Sequence, residues 1–569
     1  MRVRTRRFVL GLFSCCLVLL ILWYQREYNG DDIGHVYVNQ GCSRIYFEKY
    51  DTTILGQDIG GATYFFLPSY IRLSSVDYDA MGLAIFKENG DILRRPDINT
   101  VECVLVGKTP QDSVSYRVGF FRSNNLNTIE IELKDQNVDG ISREAYTPAE
   151  IRVRTPEGRI EHLSQQSLIK GRGNTTWEYE KKPYDIKLER KVSIAGMGAS
   201  DEWTLLANAL DPVCLRNRLA FDVAGLMDME YVTESEWADL YIDNEYMGNY
   251  LICHEVSDAP GGWFLLEQNA TAPKKERYTF RVPSGLSITI KSPGSERITE
   301  EDKKEIESFT LMTDDAITNH MPEAQYENID RYSFARRFLV DEISLNADID
   351  FSSHFYYKKP ENEIMFAGPC WDYDKAFGCS RRRDWNDTIL SGDPSYIGWD
   401  MRLTSDEIYI KYLNQTFEQY YGELCTVLPE NIDKYYKRIR DSVEMDRIRW
   451  NRGPSRMYKD SSNDVRYMKL FVLGRLKHLS EEYGGNPDES QLLLENQSSH
   501  KVTLKNDIGE EIIHVKDGTL LREADLPAYD SEIYSGWFFD FDGRYEKVTG
   551  FVPIYEDVDI TLQKNNENQ

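Results

Sequence analysis

The stretch "AGPCWDYDKAFG", residues 367–378, sets Asp372 and Asp374 among aromatic residues and closes on Phe377-Gly378. Upstream, "LNADIDFSSHFYYKK" at 345–359 carries Asp348 and Asp350. Phosphoryl transfer to a hydroxyl asks for such a set. One carboxylate lies near the attacking oxygen, and at least one more sits on a divalent metal that holds the phosphates. The plainer reading is that these aspartates cap turns, since Asp is a common turn residue.

Cations for the phosphates would come from "RGNTTWEYEKKPYDIKLE", residues 172–189. Lys182 and Lys187 stand beside a strand pattern in which Tyr184, Ile186 and Leu188 share one face. Gly173 permits a backbone turn that other residues resist. The competing reading is a glycine turn followed by a surface strand with solvated lysines. "VLVGKT" at 104–109 resembles the end of a P-loop, but Glu102 occupies the position of its first glycine, so a strand end is the better reading.

These segments need elements to hold them. The 403–484 and 299–345 patterns are helical, and "DPVCLRNRLAFDVAGLM" reads as a helix of about four turns, with Asp211 as N-cap and Pro212 in its first position. "EWADLYIDNEYMGNYLICHEV" reads as a hairpin turning at "DNEYMG". "NTIEIELKD", 127–135, alternates as a half-buried strand, and residues 36–126 are β-rich. Between Asp348 and Asp372 the pattern predicts a hairpin that brings the two acidic stretches to one end of a strand pair. "GGNPDESQ" at 484–491 is a polar boundary before a small β-rich tail from about 496.

The chain has 569 residues and a formal charge of −27. That surface repels phosphate backbones, so no nucleic-acid partner is expected. No CxxC or HExxH spacing occurs, which argues against a zinc site. Nine scattered cysteines do not make a disulfide framework, although one or two bridges are compatible with them. The N-terminus carries Arg2, Arg4, Arg6 and Arg7 before the uncharged run Phe8–Tyr24. This predicts a signal anchor with a basic cytoplasmic tail and the body outside the cytoplasm. The rivals are a cleaved signal peptide, which lacks a good small-x-small site, and a poorly matched lipoprotein box at Cys15.

The order of strand lysine, helix, hairpin, helix, Asp loop, hairpin and Asp-Tyr-Asp is the running order of a two-lobed kinase. Five stretches, "GRGNTTWEYEKKPYDIKLE", "EWTLLANALDPVCLRNRLAFDVA", "ADLYIDNEYMGNYLICHEV", "NADIDFSSHFYY" and "CWDYDKAFG", resemble the CotH family of secreted atypical protein kinases, named for a spore-coat protein. The resemblance spans roughly 127–484. It implies an α+β fold: a two-lobed atypical protein-kinase-like core, with a β-rich domain before it (31–126) and a small β domain after it (496–569). Residues 1–30 then form the basic tail and anchor.

The resemblance also implies transfer of the ATP γ-phosphate, with Mg²⁺ or Mn²⁺, to Ser or Thr of secreted or surface proteins. Asp348 would be the catalytic-loop aspartate, and Asp372 the metal ligand with Asp374 in support. Lys182 or Lys187 would hold the nucleotide phosphates, and Arg172 and Asn174 would shape the nucleotide cleft. Arg216 and Asn217 fall on the following helix. Glu255 or Asp222 would pair with the lysine. Protein kinases place Asn five residues after the catalytic Asp to hold a second metal. Here Ser353 stands at that position, with Asp350 as a possible substitute ligand, so a catalytically weak or inactive surface protein is the alternative. A carbohydrate-binding role for the front aromatics is a third reading, set against their use as core. The tail pieces "VTLKND", "VKDGTLL", "YSGWFFDFDGRY" and "VDITLQ" resemble an internalin B-repeat-type β-grasp module of bacterial surface proteins, which implies a spacer or adhesion role.

Overall fold

The computed structural model describes residues 32–39, 42–78, 83–173, 175–256, 264–268, 278–294, 297–319, 326–346, 353–360, 363–379, 385–387, 390, 398–450, 462–486, 499–516, 519–541, 544–548, 553–554 and 557–565. The N-terminal apolar run, Asn174, Asp348 and Asp350 lie outside these residues. No helix among the described residues is long and apolar enough to cross a membrane. The fold class is α+β. The chain divides into two compact units.

The first unit takes in the described residues up to Gly140, with Ala149–Gln165 and Asp239–Met247. It is built on strands. One four-stranded sheet has the order 52–55, 42–47, 32–39, 73–78, and a five-stranded sheet has the order 57–59, 62–67, 113–122, 100–107, 84–87. The front aromatics Phe65, Phe66, Phe120 and Phe121 are buried, as core residues are. The alternating strand Asn127–Leu133 buries Ile129 and Ile131 and leaves Glu132 in solvent. "VLVGKT" begins in the Thr100–Gly107 strand and runs into the turn after it. The turn after Ser235–Ile242 is the pair Asp243-Asn244, tighter than the six residues expected. Both residues have positive φ (49° and 69°), as the twist of a two-residue hairpin requires.

The second unit holds Ile141–Pro148, Gln166–Ala238 and Gly248 onwards. Its first sheet runs antiparallel from 168–171 to 184–187, then to 202–205, and on to 251–254. A second, five-stranded sheet has the order 279–281, 287–292, 264–268, 354–358, 365–367. Its last pair, Tyr356↔Ala367 to Lys358↔Met365, is the hairpin expected between the two acidic stretches.

The helices are Arg216–Leu226, Glu300–Thr318, Arg331–Ser344, Trp399–Leu403, Glu407–Trp450 and Ser462–Tyr483. A capping box of Thr299 and Asp302 starts the second of these. The first begins four residues later than its Pro212 signal suggests. Cys214 takes φ +56°, which breaks the helical run, and the Asp211 carboxylate instead accepts from the Val213 and Arg216 N–H groups. The helix is therefore nearer three turns than four. The tail forms a five-stranded sheet in the order 509–516, 499–506, 558–564, 534–541, 544–547, in which 499–506 and 558–564 run parallel. Among the described residues Cys103, Cys214, Cys253, Cys370, Cys379 and Cys425 are free thiols.

Candidate active site

The hairpin 354–367 brings its two flanks together. Ser353 stands just before the first strand and Asp372 just after the second, and Ser353 Oγ lies 3.5 Å from Asp372 Oδ2. Both residues have φ +70°, the left-handed region that side chains with a Cβ resist. Strain of about 1–3 kcal/mol per such residue persists only where the surroundings impose it, and it gathers at functional sites.

The loop carrying Asp372 is held by partners that the sequence does not announce. The Asp372 carbonyl accepts from Asn346 Nδ2 at 3.0 Å. The Tyr373 N–H donates to Asn217 Oδ1 at 2.7 Å, and Asn217 Nδ2 donates to Asn208 Oδ1 at 2.9 Å. Arg216 pairs with Asp211 and donates from Nε to the Ala376 carbonyl at 2.9 Å. The Phe377 N–H donates to the Ser344 carbonyl at 2.7 Å. Arg216 and Asn217 are the first two residues of their helix, which is why that helix start matters to the site. Gly378, at φ +73°, lies where a Cβ would approach Tyr467 and Phe471 within 2.8 Å.

Asp372 and Asp374 line a cavity of about 360 Å³, within the size of small-molecule sites. Arg172, Lys291 and Lys375 line the same cavity, with Glu255, Glu267 and Ser353. Arg172 sits on the strand-end turn before Gly173. Its Nε is 2.9 Å from Asp185 Oδ1, and its guanidinium lies 5.3 Å from the centre of the Trp371 ring. Lys291 comes from the second sheet, where its Nζ is 3.4 Å from Glu267 Oε2 on the neighbouring strand. Burial opposes the Arg172 charge, but Asp185, Glu255 and Asp372 outweigh it and raise the pKa, so the group stays a cation.

Glu255 behaves in the opposite sense. Burial, then Asp185, push its carboxyl above the ordinary range, against Arg172, Lys170 and Lys291. A carboxyl with a raised pKa holds its proton more tightly when the chain is folded. At neutral pH its ionised form therefore lowers stability, and that cost vanishes as pH falls below the ordinary carboxylate range near 4. Glu255→Gln is accordingly expected to raise Tm at pH 7–8, with the gain shrinking toward pH 4. Thermal melts across that range check this.

The two lysines expected to hold the phosphates, Lys182 and Lys187, are placed elsewhere. Lys182 Nζ donates to the carbonyls of Trp177 (2.7 Å) and Tyr179 (3.0 Å), and Lys187 Nζ pairs with Glu202 at 2.8 Å across the strand register. Neither lines the cavity. Asp222 is held by Arg218, Asn431 and Tyr435, also away from it. The expected residues that the structure brings together are Arg172, Glu255, Ser353, Asp372 and Asp374. Lys291, Glu267 and Lys375 were not anticipated. Lys375 directly follows the Asp-Tyr-Asp motif and could have been read there.

Among the described residues no group of three His, Cys, Asp or Glu side chains stands ready to hold a metal. Mg²⁺ does not need one, since it usually takes one or two carboxylates and completes its shell with water and substrate phosphates. Asp372 and Asp374, hard oxygen donors on one cavity wall, fit that requirement.

The model of the CotH kinase protein family matches residues 169–479, more than half of the chain. This chain belongs to the CotH kinase family. Every described residue lining the cavity falls within the matched segment. Among solved structures the chain is similar to the Helicobacter pylori proinflammatory kinase CtkA, at 10% identity and a TM-score of 0.20, over 58% of this chain and 95% of that one. No curated protein matches the sequence.

Proposed function

We propose that this CotH-family chain is an extracytoplasmic, metal-dependent protein kinase that transfers the γ-phosphate of ATP to Ser or Thr of secreted or surface proteins. One observation carries this reading: Asp372 and Asp374 share a single cavity with three cations, Arg172, Lys291 and Lys375. Carboxylates for a divalent metal and cations for phosphate oxygens are the two charge sets that phosphoryl transfer uses.

Asp372 and Asp374 would hold Mg²⁺ or Mn²⁺. When bound, the metal neutralises charge on the phosphates as the bond to the leaving oxygen breaks. Arg172, Lys291 and Lys375 would hold the phosphates in line. The acceptor hydroxyl oxygen bonds to the γ-phosphorus, the bond from that phosphorus to the bridging oxygen breaks, and ADP leaves. By family resemblance Asp348 would orient that hydroxyl and take its proton. Lys291→Ala is expected to raise the KM for ATP about tenfold, in keeping with loss of one charge-assisted contact to phosphate. Steady-state kinetics at varied ATP check this.

The N-terminal run Phe8–Tyr24 behind four arginines supports a single-pass anchor with the body outside the cytoplasm. Protease digestion of intact cells tests that placement: the body should be cleaved with the membrane sealed. The charge of −27 supports protein substrates rather than nucleic acid.

A second reading, a family member that binds partners without transfer, draws on Ser353. Its hydroxyl faces Asp372 where kinases hold a metal with Asn. A radiolabelled ATP transfer assay with Mg²⁺ or Mn²⁺ separates the two. Label lost in Asp348→Ala and Asp372→Ala supports the kinase. Metal-dependent ATP binding without label supports the second reading.

A further inference from the structure

Tyr373 stands between the two cavity aspartates and points the other way. It is fully buried, as are Asp341 and, nearly so, Arg337. Its hydroxyl donates to Asp341 Oδ1 at 2.7 Å. Asp341 is paired in turn with Arg337, one turn earlier on the Arg331–Ser344 helix. The Arg337 guanidinium also lies 6.0 Å from the centre of the Tyr373 ring. The main chain of Tyr373 is fixed from a second helix, through Asn217. One residue is thus pinned at its backbone and at the tip of its side chain, by two different helices.

We infer that Tyr373, with Asp341 and Arg337 behind it, is a positioning device that sets how Asp372 and Asp374 present their carboxylates to a divalent cation. This rests on the kinase reading above. The physical argument is leverage. Asp372 and Asp374 are the immediate neighbours of Tyr373, so a rotation of its peptide swings both. Asp372 sits at φ +70°, a left-handed conformation that Asp and Asn adopt more readily than other side chains with a Cβ. A phenylalanine would fill the same apolar space, so burial alone does not require the hydroxyl. The hydroxyl together with a buried ion pair is costly to build, and a buried network of this kind fixes one arrangement when all its members are satisfied. Groups behind metal ligands commonly change metal affinity or activity by 10–100-fold when removed.

Tyr373→Phe and Asp341→Asn test this in the full-length chain. The probe is Mn²⁺ with a non-hydrolysable ATP analogue, read by calorimetry, beside the Mn²⁺ concentration for half-maximal transfer. Tyr373→Phe is expected to weaken Mn²⁺ binding about tenfold or more, with the KM for the protein substrate unchanged. Asp341→Asn keeps an acceptor for the hydroxyl and is expected to fall between wild type and Tyr373→Phe. Wild-type Mn²⁺ affinity in both folded variants overturns the inference while leaving the kinase reading intact. No Mn²⁺-dependent binding in the wild type overturns both. A loss of affinity matched by an equal loss in substrate KM, or a Tm fall with affinity unchanged, shows a purely structural role and also overturns it.

Discussion

Asp372→Asn is expected to lower phosphate transfer by about a thousandfold or more and to leave the fold intact. The magnitude follows from the proposed role of Asp372, a metal-holding charge at the point where transfer builds up negative charge. One preorganised electrostatic contact is worth about 10²–10³ in rate, and a metal contributes several kcal/mol. The fold is spared because of the backbone. Asp372 holds φ +70°, and Asn is among the few side chains that adopt this region readily. Its carbonyl bond to Asn346 involves no side-chain charge of its own. The expected result is thus a variant with unchanged or higher Tm and no transfer. A melt and a transfer assay on one preparation check both halves. Transfer retained at even a tenth of the wild-type rate would remove Asp372 from the metal site.

Arg475→Met is expected to cost about 3–5 kcal/mol of stability, the usual range when one partner of a buried ion pair is removed. Arg475 and Glu342 are both fully buried. Arg475 donates to Glu342 Oε2 and to the Glu342 carbonyl, each at 2.8 Å, and to the carbonyls of Asp387 (2.8 Å) and Trp385 (3.3 Å). Glu342 also accepts from Tyr483 Oη at 2.7 Å and from the Leu390 N–H at 3.0 Å. Two helices and a loop therefore share one charge pair. Removing Arg475 leaves Glu342 buried in the core without its cation and with part of its shell gone. For the same reason the double variant Arg475→Met/Glu342→Leu is not expected to recover wild-type stability: Tyr483, Leu390, Trp385 and Asp387 would lose their partner. Denaturant unfolding of the three proteins measures this, and a loss under 1 kcal/mol for Arg475→Met would contradict it.

The sequence made the acidic half of the site legible and showed only Arg172 of its three cations. Asp372 and Asp374 could be found because a local motif carries them, and the hairpin before them because its two strands lie close in sequence. The cations depend on partners that lie far away. Alternation put Lys187 on the correct face of its strand, yet only the register opposite Glu202 shows where its charge is spent. Lys182 is folded back onto two carbonyls of its own turn, which no periodicity reveals. Lys291 reaches the cavity because its strand lies two places from 354–358 in a sheet whose order departs from chain order. The helix after Pro212 was legible, but its start was displaced by Asp211, whose carboxylate serves Arg216 as well as the backbone.

The residues lining the cavity run from Arg172 to Lys375, and the Arg475–Glu342 pair joins the Arg331–Ser344 helix to the Ser462–Tyr483 helix more than a hundred residues later. A chain emerging in sequence order therefore lacks a complete cavity until Lys375 has appeared. Its contacts are of long range, and such contacts form late. The cavity and the buried pair are both complete only once nearly all of the matched segment has emerged. A product cut short before Lys375 would lack part of the cavity lining, and one cut short before Arg475 would leave Glu342 without its buried partner.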